Sequence, residues 1–521
     1  MRVWCLAQLR PIDVAGRIGI RKPGMAQVRV VIIGSGFGGL GMAIRLRQAG
    51  LTAITILEKA SRLGGTWREN TYPGAACDSP SFLYCYSFEP KTDWSRKWAP
   101  QPEILAYLEH CARKHDVLRH IRFDTEVTGA RFDEGAGVWR VRTAAGDTIE
   151  AEVLVSATGQ LNRPSSPTLP GLERFAGRHF HSARWEHDVP LDGRDVAVIG
   201  NAASAVQFVP EIAPRVRRLA VFQRSANWMV PKNDRAYGER EKRLYARFPL
   251  LARLYRWWIW WQYESRFPVF REQKLLTLLG TTAAKRALRS QVPDPELRRA
   301  LLPDYPLGGK RILISDDYYA ALQRENVALI TSPIEEVVRD GIRTRDGRHV
   351  PADVIILATG FQTTTFLAPM RIEGTDGRVL EDVWRQGADA YLGLAVAGFP
   401  NFFMLYGPNT NLGHNSIVFM LECQVNYVVQ CVQALAARGL RWVDVRPEVV
   451  RAYNAELQHT LRRTVWARTD HSWYKRADGR ITNNWSGTTL AYWWRTRRPD
   501  LRHYRQVPHV RVAETAVSKV A

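Results

Sequence analysis

The chain has 521 residues, and its 73 Lys and Arg against 51 Asp and Glu give a formal net charge of +22. Because a single hydrophobic core rarely serves more than about 300 residues, this length predicts two or three domains. A content of 45% hydrophobic and 24% charged residues excludes a disordered chain, a collagen-like repeat and a disulfide scaffold. The basic excess leaves three classes of protein open: a nucleic-acid binder, a membrane-surface protein, or an enzyme with an arginine-rich surface.

The start of the chain and its cysteines narrow the cellular setting. Residues 1–24 carry five basic residues and one acid without the continuous apolar segment of a secretion signal, so a disordered extension is predicted there. The six cysteines are dispersed, with no C-x-x-C pair and no Cys/His spacing typical of zinc, so we expect reduced thiols and no metal. No run reaches about 18 consecutive apolar residues, so no membrane-spanning helix is expected. Together these features predict a cytoplasmic protein.

A first dinucleotide site follows the first strongly predicted strand. The apolar run 28–33 enters the segment 34–39, which fits G-x-G-x-x-G, and a helical pattern follows. The first glycine allows a tight turn, the second lets the backbone approach a pyrophosphate, and the third lets the helix pack on the strand. An acid at the end of the next predicted strand, 52–57, can bind ribose hydroxyls. The residues assigned to this site are Gly34, Gly36, Gly39 and Glu58.

A second version of the same pattern begins at residue 195. The predicted strand 195–199 enters the segment 200–205, a G-x-A-x-x-A variant, and a further strand is predicted over 219–222. No acid ends that strand, and the cation there suits a 2′-phosphate, which favours NADP over NAD. The residues assigned to this second site are Gly200, Ala202, Ala205, Arg224 and Ser225.

Two dinucleotide sites in one chain indicate a flavoprotein that a nicotinamide reduces. The triplet Ala-Thr-Gly follows a predicted strand at 157–159 and again at 358–360, as is typical where backbone and cofactor meet closely. We therefore predict an α/β fold with two Rossmann-like domains and a helical insertion. The predicted boundaries are 25–165 and 361–521 for a discontinuous FAD domain, 166–232 and 301–360 for the NADP domain, and 233–300 for the insert.

Two further motifs connect the chain with a known family. Residues 175–185 fit F-x-G-x-x-x-H-x-x-x-W, and a second fingerprint combines Gly-Thr-Trp at 65–67, Tyr-Pro-Gly at 72–74 and Asp78. With these motifs nearly the whole chain resembles the Baeyer–Villiger monooxygenases, although Glu186 stands where that family usually has Pro or Asp. The segments at 309–311 and 407–414 and the Trp-rich C-terminus resemble the subgroup that includes 4-hydroxyacetophenone monooxygenase.

The resemblance implies roles for individual residues. Arg311 is implied as the catalytic cation, Asp78 as the carboxylate that holds it, and Lys310 as a partner of the NADP 2′-phosphate. His181 and Trp185 are implied to lie on the linker between the two domains and to affect the placement of NADP. The remaining cofactor contacts implied by the resemblance are Gly65, Trp67, Asp78, Tyr84, Val127, Thr158, Gly159 and Trp473.

The implied reaction uses NADPH, FAD and O₂ to insert one oxygen atom next to the carbonyl of an apolar ketone, giving an ester or lactone. Oxygen adds to the reduced flavin at C4a, and this peroxyflavin must be anionic to attack the carbonyl. A positive group beside it also stabilises the oxyanion that follows, and a permanently charged arginine held by a carboxylate suits both tasks. A flavin monooxygenase making N- or S-oxides and a non-catalytic, flavin-binding redox sensor are the alternatives.

The basic charge is concentrated in 1–24, 233–300 and 491–521. In the insert, Leu and Trp recur at helical spacing beside arginines: Leu250, Leu251, Leu254, Trp257, Trp258 and Trp261. One interpretation is a helical insert that packs on the NADP domain and walls an apolar substrate pocket. The other is peripheral contact with a membrane, since Trp and Arg on an amphipathic helix favour interfaces. No nucleic-acid fold accompanies the basic, aromatic tail, so no nucleic-acid partner is expected.

Overall fold

The computed structural model describes residues 27–271, 273–470, 474–476 and 478–509. The predicted extension, 1–24, and Trp473 lie outside these ranges. The helices are α1 Phe37–Gln48, α2 Thr66–Glu69, α3 Gln101–Lys114, α4 Ala203–Ile212, α5 Glu239–Arg247, α6 Pro249–Glu264, α7 Phe267–Phe270, α8 Lys274–Gln291, α9 Pro295–Ala300, α10 Tyr318–Leu322, α11 Leu380–Val383, α12 Ile417–Arg438, α13 Pro447–Leu461 and α14 Thr489–Thr496.

The strands are β1 Val30–Ile33, β2 Ile54–Leu57, β3 Ile121–Arg122, β4 Val127–Asp133, β5 Val138–Thr143, β6 Thr148–Ala151, β7 Val153–Ser156, β8 Arg178–His181, β9 Asp195–Ile199, β10 Arg218–Phe222, β11 Met229–Val230, β12 Leu313–Ile314, β13 Val327–Ile330, β14 Ile334–Val338, β15 Gly341–Thr344, β16 His349–Pro351, β17 Val354–Leu357, β18 Arg371–Glu373, β19 Phe402–Met404, β20 Leu440–Val445 and β21 Tyr504–Pro508.

The first of two parallel sheets has the strand order β19-β7-β1-β2-β3. Strand β1 pairs in parallel with β2 and β7, and all its residues are buried, as its continuous apolar sequence predicts for a sheet covered on both faces. Helix α1 follows β1 and places Leu40 and Ile44 in the same hydrophobic cluster as Val30 and Ile32. This β–α–β unit carries the turn 34–39 to the carboxyl edge of the sheet, where nucleotides bind in such folds.

The second parallel sheet has the order β13-β10-β9-β17-β8 and repeats the arrangement. All of β9 is buried, and helix α4 places Val206 and Val209 in one cluster with Val196 and Val198 of that strand. The chain leaves the first sheet after β7 and returns to it at β19, after the second sheet is complete. The two turns therefore occupy equivalent positions in two similar units, while the exact domain boundaries stay a prediction.

The helical insert divides its packing between the two sheets, whereas one of the two interpretations of the sequence placed it on the NADP domain. Helix α6 buries Ala252, Ile259 and Trp260 in the cluster that contains the first sheet, whereas Leu288 of α8 joins the second-sheet cluster. The predicted Leu/Trp stripe faces outward, because periodicity marks an apolar face without showing which of two apolar faces is buried. Its exposed members are Leu250, Leu251, Leu254, Trp258 and Trp261.

Helix α12 is long and apolar enough to cross a membrane by length and composition, and it alone among the helices in the described ranges meets that test. However, 67% of its most apolar window is buried inside the protein. Its residues Val425, Tyr427 and Val428 pack in the first-sheet cluster. The burial identifies α12 as a core helix of this fold.

A buried carboxyl on β20 makes stability depend on pH. The backbone N–H of Gly398 donates to both oxygens of Asp444 at 3.0 Å, and burial raises the pKa of Asp444 to about 7. Between about pH 4 and pH 7 the folded carboxyl holds a proton that the unfolded one has lost, so this group's contribution to stability falls as pH rises through that window. When the pH rises from 5 to 8, the free energy of unfolding of Asp444→Asn should therefore increase by about 3 kcal/mol relative to that of the unsubstituted protein.

Thermal denaturation of both proteins at the two pH values measures this difference. Asp192→Asn, which changes an exposed carboxylate paired with Arg215, serves as the control and should show no such gain. An Asp444→Asn profile parallel to that of the unsubstituted protein would contradict the assignment.

Candidate active site

The turn after β1 forms a cradle that side chains would fill. Gly34 has a φ of +101°, and a Cβ there would lie 2.8 Å from the carbonyl oxygen of Ala157. A Cβ on Gly39 would lie 1.9 Å from the carbonyl oxygen of Gly34, so α1 approaches the strand only without a side chain. A Cβ on Gly65 would lie 3.2 Å from the Cα of Gly36, which itself leaves the first turn of α1 uncapped. Free N–H groups at a helix start and close backbone fit a pyrophosphate.

Glu58 follows β2 and is a buried carboxylate beside this turn. Its Oε2 accepts hydrogen bonds from the N–H of Ser35 at 3.0 Å and from its hydroxyl at 2.7 Å. Its Oε1 accepts from the N–H of Ala60 at 3.1 Å and lies 2.9 Å from Nη1 of Arg68. These contacts fill the usual acceptor positions of a carboxylate. A ribose hydroxyl therefore has to replace one donor, and the hydroxyl of Ser35 can rotate away.

Two aromatic residues predicted for this site meet beside α1. The indole Nε1 of Trp67 donates to the hydroxyl of Tyr84 at 3.1 Å, and the ring of Tyr84 packs edge-on against Phe37 at 5.0 Å between centroids. The other first-site residues lie at the strand ends, with Thr158 and Gly159 directly after β7 and Val127 at the buried start of β4.

The second glycine-rich turn is shaped like the first. Gly200 has a φ of +110°, and a Cβ there would lie 2.4 Å from the carbonyl oxygen of Ala358. Ala202 leaves the first turn of α4 without a side-chain cap, and Ala205 is fully buried within the second-sheet cluster. Alanine therefore suffices at the two positions where the motif departs from glycine, and this cradle also fits a pyrophosphate.

The structure brings the predicted 2′-phosphate residues together although they are distant in sequence. Nζ of Lys310 donates to the hydroxyl of Ser225 at 3.1 Å. Burial lowers the pKa of Lys310, and the nearby Arg224 cation lowers it further, as two like charges beside each other require. Gln223, which precedes Arg224, is buried and accepts from Nδ2 of Asn201 at 2.8 Å. A neutral amide thus ends β10, where the first site has a carboxylate.

The prediction that His181 lies on a linker is corrected, because it ends β8, which pairs with β17 inside the second sheet. Its Nδ1 accepts from the N–H of Ala183 at 3.1 Å, and its buried Nε2 has no hydrogen-bond partner among the described residues. Burial lowers the pKa of His181, which favours the neutral ring. Trp185 packs against Phe180 and Phe208 at 5.3 and 5.2 Å between centroids, so it anchors the same sheet.

The predicted catalytic pair forms directly. Nε of Arg311 donates to Oδ2 of Asp78 at 2.7 Å, and Nη2 lies 2.5 Å from the same oxygen. Both side chains are half-buried, with 35% and 30% of their surfaces exposed. The Asp78 carboxylate raises the pKa of Arg311 above its already high value, so the guanidinium stays charged at every working pH. The remaining donors of its fork are available to a bound molecule.

The loop that carries Asp78 is held by the second unit. A Cβ on Gly74 would lie 2.7 Å from the carbonyl oxygen of Gln207 on α4. The side chain of Gln207 accepts from the hydroxyl of Tyr72 at 3.0 Å, accepts from the N–H of Ala76 at 3.3 Å and donates to the carbonyl of Ala76 at 3.0 Å. A segment that follows the first nucleotide turn in sequence is therefore fixed to the helix of the second.

The loop that carries Arg311 is held by the insert and by the C-terminal part of the chain. A Cβ on Gly308 would lie 3.1 Å from the ring of Phe270, on α7. A Cβ on Gly309 would lie 2.0 Å from the hydroxyl oxygen of Thr469. The Gly-Lys-Arg segment thus begins at a position, Gly309, where only glycine fits.

Three tyrosines beside the pair escaped the sequence reasoning. Burial raises the pKa of Tyr263 and of Tyr474 to about 12, and the Asp78 charge adds to both effects. Burial also raises the pKa of Tyr406, which Arg311 opposes. Tyr406 directly precedes the 407–414 motif, which could have pointed to it. Tyr263 is the last residue but one of α6, and no motif marks it. All three are neutral phenols at working pH.

Comparisons with known proteins agree with this geometry. The family described as pyridine nucleotide-disulphide oxidoreductase matches residues 31–238, which include both glycine-rich turns. The five cysteines that the structure describes are free, so the likeness concerns the nucleotide-binding fold. Two curated relatives, from Streptomyces coelicolor and Pseudomonas aeruginosa, are each called Baeyer-Villiger monooxygenase and are each 44% identical. The alignments cover 92% of this chain and of the first relative, and 91% of this chain and of the second.

Solved structures are similar over the same length. An oxidized steroid monooxygenase bound to NADP has a TM-score of 0.83 and 33% identity, covering 92% of this chain and 100% of that one. A closed crystal structure of cyclohexanone monooxygenase has a TM-score of 0.82 and 28% identity, covering 92% and 99%. The OTEMO complex with FAD and NADP has a TM-score of 0.83 and 28% identity, covering 94% and 100%.

A test of the second cradle is Gly200→Ala. The added methyl group would meet the carbonyl of Ala358 at a positive φ, so the turn must shift away from the pyrophosphate position. We expect the KM for NADPH to rise at least about tenfold while the bound-flavin content stays unchanged. Steady-state kinetics and flavin absorbance measure the two quantities.

The matched control is Gly193→Ala, where φ is +67° but nothing lies within 4 Å of the added Cβ. If both variants bind NADPH as the unsubstituted protein does, the second cradle is not the NADP site.

Proposed function

The chain belongs to the Baeyer–Villiger monooxygenases, and from that premise we propose that Arg311, held by Asp78, carries the insertion of oxygen next to the carbonyl of an apolar ketone. The enzyme is an FAD-dependent monooxygenase that uses NADPH. The observation that supports these residue roles is the 2.7 Å contact between the half-buried Arg311 and Asp78, on loops that adjoin both nucleotide cradles.

The residues present fit the two cofactors. The cradle at Gly34 and Gly36, with Glu58 beside it, suits the pyrophosphate and ribose of FAD, and the cradle at Gly200 suits those of NADP. When bound, FAD supplies the activation of O₂, and NADPH supplies the hydride that reduces FAD. Arg224 and Lys310 would hold the 2′-phosphate, because these two cations and the hydroxyl of Ser225 lie close together. No carboxylate directly follows β10 to repel the phosphate, unlike at the equivalent position of the first site.

Arg311 would act on charge that develops on oxygen. Attack on a ketone carbonyl places a negative charge on its oxygen, and a cation fixed beforehand stabilises that charge without reorganising in the transition state. Asp78 removes the freedom of the guanidinium by accepting from Nε and Nη2, so Asp78 is a positioning residue in this account. The high pKa of Arg311 excludes it as a proton donor, and its role is electrostatic.

The surroundings support an apolar substrate. Tyr263, with its raised pKa, and the ring of Phe270, which packs on the Arg311 loop, present aromatic surface beside the pair. Such surface favours a ketone with an aryl, cyclic or long-chain body over a charged one. We also propose that the enzyme works in the cytoplasm and makes peripheral contact with a membrane through the insert 233–300.

Replacing Arg311 by Ala tests the proposal. We expect the rate of ester formation from an aryl or cyclic ketone to fall at least about a thousandfold, because the fixed cation is lost from a site built around it. Flavin content should stay unchanged. Product analysis by gas chromatography, with a thioether assayed in parallel, measures the loss.

Arg215→Ala, at an exposed arginine paired with Asp192, is the matched control and should keep full activity. Ester formation that persists undiminished in Arg311→Ala would remove the catalytic assignment. If the unsubstituted enzyme gives sulfoxide from the thioether but no ester from any ketone, its reaction is the oxidation of heteroatoms.

A further inference from the structure

The outward face of α6 is apolar over its whole length. Five of its large side chains are between 41% and 56% exposed. Their positions repeat at helical spacing, so they form one stripe on the side opposite the buried Ala252, Ile259 and Trp260. The stripe residues are Leu250, Leu251, Leu254, Trp258 and Trp261. A soluble helix normally places charged residues on this face, so the stripe marks an interaction surface.

Helix α8 of the insert exposes a second set of leucines. Leu275, Leu278 and Leu279, in its first two turns, are 68%, 63% and 56% exposed, and the helix buries only two of its residues. The aromatic residues of α6 stack on one another, Trp257 on Trp261 at 6.5 Å and Tyr255 on Trp258 at 6.1 Å between centroids. We call the outward stripe of α6 and these leucines of α8 the apolar platform.

The charge around the platform is one-sided. Residues 243–291 contain ten Lys or Arg and two acids, and one of each, Arg256 and Glu264, is buried. Arg247, Lys274 and Lys285 are exposed, and no carboxylate of the described residues forms a salt bridge with them. An apolar face rimmed by unpaired cations complements a surface that is apolar inside and anionic outside, as a phospholipid bilayer with acidic headgroups is.

We propose that the apolar platform docks this enzyme on a bilayer containing anionic phospholipid. Leucine and tryptophan side chains would enter the boundary between headgroups and acyl chains, and the surrounding arginines and lysines would bind the phosphates. A second copy of the chain is a poorer occupant, because it would bring the same positive rim against itself. The charge thus selects lipid over self-association.

The helix that carries the platform ends near the site already described. Tyr263, next to the carboxyl end of α6, feels the charge of Asp78, and Glu264 accepts from the hydroxyl of Thr489 at 2.7 Å and from Nδ2 of Asn415 at 2.9 Å. The carboxyl end of the docking helix is therefore bonded to the C-terminal part of the chain and lies within reach of the charge of Asp78. This arrangement favours ketones that partition into membranes as substrates, a point that rests on the proposed oxidation of ketones, whereas lipid binding itself does not.

Vesicle co-sedimentation of the full chain with its flavin bound tests the proposal. The probes are pure phosphatidylcholine vesicles and vesicles of phosphatidylcholine mixed with phosphatidylglycerol. We expect binding to the mixed vesicles at low salt, weakening at high salt, and at least about tenfold weaker partition into pure phosphatidylcholine. Leu254→Glu/Trp258→Glu, which places two charges in the platform, should lower partition into mixed vesicles at least about tenfold.

The matched control is Leu118→Glu/Val383→Glu, which makes the same charge change at side chains that are 38% and 43% exposed elsewhere. It should keep nearly all of the binding. The proposal is overturned if the unsubstituted enzyme stays in solution with mixed vesicles, or if the two double variants bind equally. A dimer in solution that only the platform variant dissociates, without vesicle binding, also overturns it in favour of a second copy.

Oxidation of a water-soluble ketone in buffer, measured on the same preparations, separates the two proposals. Both double variants should keep this activity, because neither changes a residue at the site. Vesicle binding without ester formation would refute the proposed oxidation of ketones alone, and ester formation without vesicle binding would refute docking through the platform alone.

Discussion

The site depends most on the ion pair between Arg311 and Asp78, which are 233 positions apart in sequence. The loop of Asp78 is fastened to α4 through Gln207, and the loop of Arg311 is enclosed by Phe270 and Thr469. The pair therefore forms only when both sheets, the insert and the C-terminal segment are in place. A half-buried cation requires such a partner, since an unpaired charge there would lose much of its hydration.

Helix α6 of the insert contributes both to the core and to the surroundings of the site. The inward face of α6 completes the core around the first sheet, while Tyr263, near its carboxyl end, lies within reach of the charge of Asp78. That use of the inward face leaves the Leu/Trp stripe uncovered and surrounded by positive charge. The part of the basic excess that lies in 233–300 is thereby connected with this surface.

The sequence was sufficient for the nucleotide turns, because each requires glycine or alanine at fixed spacing between a strand and a helix, as Gly34 and Gly200 show. The Arg311–Asp78 contact needed the family resemblance, since a separation of 233 positions carries no local signal. The placement of His181 on a linker was wrong, since it belongs to a strand, and the sequence left open which way the stripe of α6 faces, which the structure shows to be outward. Both depend on tertiary pairing, which periodicity along one segment does not contain. Tyr263 was missed for the same reason.

The central claim is that Arg311 and Asp78 act as one unit, and a double-mutant cycle measures this coupling most directly. It compares kcat/KM for ester formation from one ketone in Arg311→Ala, Asp78→Ala and the double variant, each with flavin bound. If Asp78 works only by positioning Arg311, removing both should cost no more than removing Arg311 alone. Losses that multiply across the two substitutions would show that the residues act independently and would contradict the account.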